Sequence, residues 1–130
     1  MKGFNEDGDK LSISERPAAL VLFNPVYDNG SKGYGYDHVK EYWQEISPMH
    51  NLSTRTPPTV VFLGSQDKHI PVATAEKYKM LMEEKAVRSD LHIYEGQKHG
   101  FFNFSHQEYY EKTIAKMDQF LVSLGYLEPQ

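Results

Sequence analysis

Hydrophobic and polar positions alternate along the chain in two textures. Apolar runs occupy "AALVLFNP" (18–25) and "TVVFLG" (59–64), with a more mixed run in "LHIYEG" (91–96). Such runs predict strands, and continuous ones fit strands covered on both faces. Between them the apolar residues fall at helical spacing. Val39, Tyr42, Trp43 and Ile46 predict a helix over 37–47. Ala75, Tyr78, Leu81, Met82 and Ala86 predict a second, starting near Pro71, a favoured first-turn residue. Tyr110, Ile114, Met117, Leu121 and Leu124 form the stripe of a third, over 106–124. Pro25 closes the first strand, Gly125 is placed to cap the last helix, and "SPMHNLSTRTPP" reads as irregular.

The order strand, helix, strand, helix, strand, helix predicts an α/β fold, three parallel strands alternating with helices. The 130 residues show no internal repeat and no linker, so residues 1–130 read as one α/β unit. Apolar content of 39% and charged content of 25% are those of a folded globular chain. The net charge of −4 provides no basic footprint for nucleic acid or for an anionic membrane. No apolar run is long enough to span a bilayer. "MKGFNEDGDKLS" lacks the apolar core of a signal peptide, and the compartment is left unassigned. With no cysteine, disulfides, thiolate catalysis and zinc–cysteine sites are excluded.

In parallel sheets the working residues sit at the carboxyl ends of strands. Asp67 and His99 both occupy that position, after consecutive strands. A neutral imidazole takes a proton from a nucleophile and returns it to a leaving group. It works best when a buried carboxylate fixes its tautomer. Each residue also has a plain structural reading: Asp67 as a helix cap or loop brace, His99 as a turn histidine.

The flanking residues carry a resemblance. "FLGSQDKHIPV" is similar to the acid-bearing segment of α/β-hydrolase esterases and lipases, and "YEGQKHGF" to their histidine segment. "LVLFNPVYDNG" resembles the strand that comes before these. The nearest group is that of acetyl-xylan and other carbohydrate-ester hydrolases. The resemblance runs from about Gly3 to Leu127 and implies a partial α/β-hydrolase fold, the C-terminal half of the sheet. It implies that Asp67 is the triad acid and His99 the general base. From their places near strand ends, Tyr27, Asp28 and Ile70 are candidates to line an acyl or sugar pocket, and Phe101 and Phe102 read as core or pocket wall. The resemblance implies ester substrates and no cofactor.

The family's nucleophile has no counterpart. No G-x-S-x-G elbow or HGGG-type segment occurs among the 130 residues. Ser65 shares a loop with Asp67, and Ser105 has no strained turn to present it. Without its serine a triad loses about a millionfold in rate. The chain is therefore expected to be inactive alone and to need a nucleophile-bearing N-terminal half. Whether Met1 is a native start is left open. The strand at 18–25 would present an open edge, with Ala19, Val21 and Phe23 incompletely covered, and a homodimer through that edge is expected. The alternative is a non-catalytic binding module in which the pair is a relic.

His69 lacks a third ligand at sensible spacing, so no metal site is assigned. His38, His50 and His106 read as surface residues and His92 as structural. "NEDGDKLSISE" (5–15) fails the calcium-loop pattern, with Lys10 where glycine is required and Arg16 where the closing glutamate should be. "GSKGYGYD" (30–37) lacks the dinucleotide fingerprint and reads as a mobile loop over the pocket.

Overall fold

A computed structural model describes residues 8, 10 and 12–129. Most of the acidic stretch 5–9, and Gly3, where the resemblance begins, lie outside them. Three strands form one parallel sheet in the order β1 (Leu20–Phe23), β2 (Thr59–Gly64), β3 (Ser89–Tyr94). All six residues of β2 are buried, which is why its boundaries match the apolar run. Two helices cover the sheet, α3 (Val72–Glu84) and α4 (Gln107–Ser123).

Alternation along β2 builds two cores. Val61 and Leu63 pack with Ala75, Tyr78 and Met82 of α3, and with Tyr27 and Ile70. Val60 and Phe62 face the other way, against Phe120 of α4 and Phe101. Tyr27 stacks on Tyr78 with ring centroids 3.7 Å apart.

The first strand is shorter than its apolar run. Asn24 turns left-handed at φ 43°, which ends β1 before Pro25. Asparagine tolerates that conformation better than most side chains. The third strand begins at Ser89, two residues before the expected Leu91, and stops at Tyr94. Pairing of Thr59 with Ser89 and Val60 with Asp90 recruits polar residues that an apolar pattern passes over.

The single helix expected over 37–47 is replaced by two isolated turns, α1 (Tyr36–Val39) and α2 (Trp43–Ile46), and a 3-10 turn at Pro48–His50. Tyr42 sits between them at φ −136°, outside helical geometry. Neither turn buries a residue, so no packed face sustains a longer helix. Ala86 lies beyond the end of α3, exposed and left-handed at φ 56°, and takes no part in its apolar stripe. The inner face of α4 is centred on Thr113 and Phe120, not on Tyr110 and Ile114, which are half-buried. Gly125 does close α4, at φ 75°, and the Tyr126 N–H returns to the Leu121 carbonyl.

Strand β1 lies at the sheet edge. The Leu20 N–H donates to the Pro58 carbonyl and the Asn24 N–H to the Phe62 carbonyl. Backbone alternation then turns the peptide groups of Val21 and Phe23 outward, along an edge that no strand among the described residues covers. Every residue of β1 is half-buried.

Candidate active site

The loop after β2 places Asp67, and the loop after β3 places His99. Asp67 Oδ1 accepts the backbone N–H groups of His69 at 2.8 Å and Ile70 at 3.2 Å. These bonds fold the loop around the carboxylate, so Asp67 braces its own turn. It does not cap α3, whose N-cap position is Pro71. The second oxygen, Oδ2, lies 2.8 Å from His99 Nδ1. A carboxylate only accepts, so Nδ1 carries the proton and donates. That leaves Nε2 as the basic nitrogen, and it makes no hydrogen bond among the described residues.

The two side chains differ in exposure. That of Asp67 is 0% exposed and that of His99 is 53% exposed. Burial pushes the Asp67 carboxyl up, but the bonds from the His69 N–H, His99 and the Ile70 N–H outweigh it. The net result lies below the ordinary value of 3.8. Asp67 is thus held as a carboxylate, the form that orients an imidazole.

Further contacts stitch the two loops together. The Ser65 N–H donates to the Tyr94 carbonyl at 3.0 Å and the Gln66 N–H to the Gln97 carbonyl at 2.8 Å. The Gly96 N–H donates to Ser65 Oγ at 2.9 Å. At Gly64 the loops touch: a Cβ there would lie 2.3 Å from the Gln97 carbonyl oxygen. Only glycine admits that approach. Apolar patterning has no means of marking Ser65, Gly64 or Gln97, because their roles depend on the β2–β3 register.

Beside the pair is a cleft of about 310 Å³ between the loop after β1 and the start of α3. Tyr27, Asp28 and Ile70 all line it, with Tyr34, Lys68 and His69. Tyr27 is only 2% exposed, and its buried hydroxyl has no hydrogen-bond partner among the described residues. Asp28 Oδ1 accepts the Gly30 N–H at 2.7 Å. Phe101 stands apart from these three. It is packed in the α4-side core and borders a separate depression that includes His99 and His106.

His69 packs edge-on against His99, with ring centroids 5.3 Å apart, and Tyr34 packs edge-on against His69. Among the described residues no group of three or more His, Cys, Asp or Glu side chains is arranged to hold a metal ion. His38, His50 and His106 are exposed. His92 stacks on Phe62 within the sheet. Among the described residues no helix is long and apolar enough to cross a membrane.

Residues 19–124 match the model of the prolyl oligopeptidase family. Among solved structures, the propionate-bound form of a thermophilic esterase from the planctomycete Thermogutta terrifontis is 31% identical, with a TM-score of 0.84. That match covers 98% of this chain and 50% of that one. The apo form of Thermogutta terrifontis esterase 2 is 31% identical with a TM-score of 0.87, over 96% of this chain and 49% of that one. The same enzyme phosphorylated by paraoxon is 31% identical with a TM-score of 0.85, over 96% and 47%. The chain thus spans about half the length of the esterase structures it matches. No curated protein sequence matches it.

Proposed function

The chain belongs to the prolyl oligopeptidase family, and from that premise we propose that it supplies the acid and base of a serine carboxylic-ester hydrolase. One observation carries this reading. A fully buried carboxylate holds His99 Nδ1 at 2.8 Å, while the imidazole stays exposed at the carboxyl end of the sheet. Ester substrates are favoured over peptides because the matched structures of 31% identity are esterases. The resemblance of the two site segments to carbohydrate-ester hydrolases favours acetyl or other sugar esters, with the leaving group in the cleft at Tyr27, Asp28 and Ile70.

In the proposed reaction a serine Oγ attacks the ester carbonyl and passes its proton to His99 Nε2. The C–O bond breaks, and the departing alkoxide takes that proton from the imidazolium. A water molecule then gives its proton to Nε2 and attacks the acyl-enzyme carbonyl, releasing the carboxylic acid and restoring the serine. Asp67 fixes the tautomer throughout. The serine comes from outside these 130 residues. Ser65 Oγ is engaged with the Gly96 N–H in the acid loop, and no serine stands in a G-x-S-x-G turn.

The open peptide groups of Val21 and Phe23 give the chain an edge at which another strand can add. A second copy of the chain, paired antiparallel about a two-fold axis, is the partner proposed there. Sedimentation giving a monomer mass at every concentration would remove that partner.

The test of the activity begins with a fluorophosphonate probe and p-nitrophenyl acetate on the purified chain. No label and no turnover are expected. The chain is then joined behind the nucleophile-bearing half of Thermogutta terrifontis esterase 2. A folded chimera should hydrolyse the acetate ester and leave the p-nitroanilide analogue nearly untouched. A folded chimera whose ester turnover is the same with and without His99→Ala would overturn the reading.

A further inference from the structure

We infer that Ser65 is a positioning residue for the Asp67–His99 pair, acting through the turn that presents the histidine. The inference deepens the reading of this site as a hydrolase acid and base, and rests on it.

Ser65 is the first residue after β2, where the parallel ladder stops. Its backbone extends the ladder by one bond, to the Tyr94 carbonyl at 3.0 Å. Its hydroxyl then does what the backbone no longer does. It takes the N–H of Gly96, at 2.9 Å, where the chain leaves β3. Gly96 is left-handed at φ 74° and starts the reversal that ends at His99. One residue thus grips the His99 loop twice, two positions before the carboxylate that the histidine meets.

The neighbouring contacts make that grip a register device. On one side of Ser65, Gly64 lies against the Gln97 carbonyl without room for a Cβ. On the other, the Gln66 N–H donates to the same carbonyl at 2.8 Å. With the Gly96 bond in place the loops are fixed at three successive residues, 64, 65 and 66. Without it the Gly96 N–H loses its partner, and the turn keeps only the backbone bonds on either side of it, from the Ser65 and Gln97 N–H groups to the Tyr94 carbonyl and from the Gln66 N–H to the Gln97 carbonyl. His99, more than half exposed, has little packing of its own to hold it. A hydroxyl committed to this contact is also a poor candidate for the nucleophile.

The test uses the 130-residue chain and needs no catalysis. In Ser65→Ala the downfield Nδ1 proton signal of His99 should be lost to exchange with water. The Asp67 carboxyl, followed by its carbon shift against pH, should titrate at a higher pH as it loses one of its donors. Ser65→Thr keeps the hydroxyl and should restore both signatures. A Ser65→Ala chain that folds and keeps both signatures would overturn the inference. If Ser65→Ala does not fold, amide exchange of the unaltered chain decides. Protection of the Gly96 N–H well beyond that of its exposed neighbour Glu95 is expected, and equal exchange of the two refutes the contact. Because these readouts are independent of turnover, an inactive chimera would count against the hydrolase reading and leave the Ser65 result standing.

Discussion

The loops after β2 and β3 contribute one side chain each to the same hydrogen bond, yet they are built in opposite ways. Asp67 is sealed, with both oxygens occupied by donors from its own loop and from His99. His99 is exposed and held by one nitrogen. The first loop holds its carboxylate fixed and away from solvent, and the second presents its imidazole to it. A group that must accept and return a proton needs an open face. A group that only orients and stabilises charge works best dry, where its field is least screened. Substitutions in the two loops should therefore differ in what they cost.

The largest effect should come where the loops meet. Gly64→Ala forces a methyl group onto the Gln97 carbonyl, backbone against backbone, with no flexible side chain to yield. Destabilisation of about 3 kcal/mol is expected from overpacking of this kind. Chemical denaturation would measure it, and a loss under about 1 kcal/mol would mean that the loops move apart easily.

Next comes the sealed residue. Asp67→Ala strands the His69 and Ile70 N–H groups and releases His99, and should cost about 2 kcal/mol. Its absence should also change the acid limb of stability. The folded-state carboxyl titrates below its unfolded value of 3.8. The folded state therefore binds fewer protons than the unfolded state in that window, and stability falls as pH falls through it. Thermal unfolding of the unaltered chain from about pH 5 to about pH 2 should show that loss. Asp67→Asn should show a shallower slope over the same range. Equal slopes would mean that the carboxylate draws no net stability from its donors.

The contrast between the loops also explains what could be read from the chain alone. Strand β2 was legible to the residue because each of its six positions is buried, and burial is what apolar patterning reports. Asp67 and His99 were marked by their flanking segments, "FLGSQDKHIPV" and "YEGQKHGF", and by an alternation that places both at strand ends, and the two meet at 2.8 Å. Patterning fails where polar atoms decide. Asn24 ended β1 by its left-handed backbone, and Ser89 and Asp90 entered β3 through pairing with Thr59 and Val60. Met117, Leu121 and Leu124 of the predicted α4 stripe do pack against the core of Val60 and Phe62, but the residues buried most deeply are Phe120 and Thr113, which the stripe omits. The bonds of Ser65 are of the same kind, fixed by a register in which paired residues lie 30 positions apart in the chain, as Gly64 and Tyr94 do.

The smallest effect on stability should fall on His99, the residue proposed to move the proton. His99→Ala removes a side chain that is more than half exposed and pairs with one oxygen. What is lost is one hydrogen bond from a solvent-exposed imidazole, worth about 0.5–1.5 kcal/mol, so the denaturation midpoint should move less than in Asp67→Ala. Asp67 keeps the His69 and Ile70 N–H groups, and its loop stays closed. The same substitution should abolish ester turnover in the chimera, because the proton leaving the serine then has no acceptor. A His99→Ala chain destabilised as much as Asp67→Ala would show that the imidazole holds the structure together. The contrast between a sealed loop that holds structure and an open one that does not would then fail.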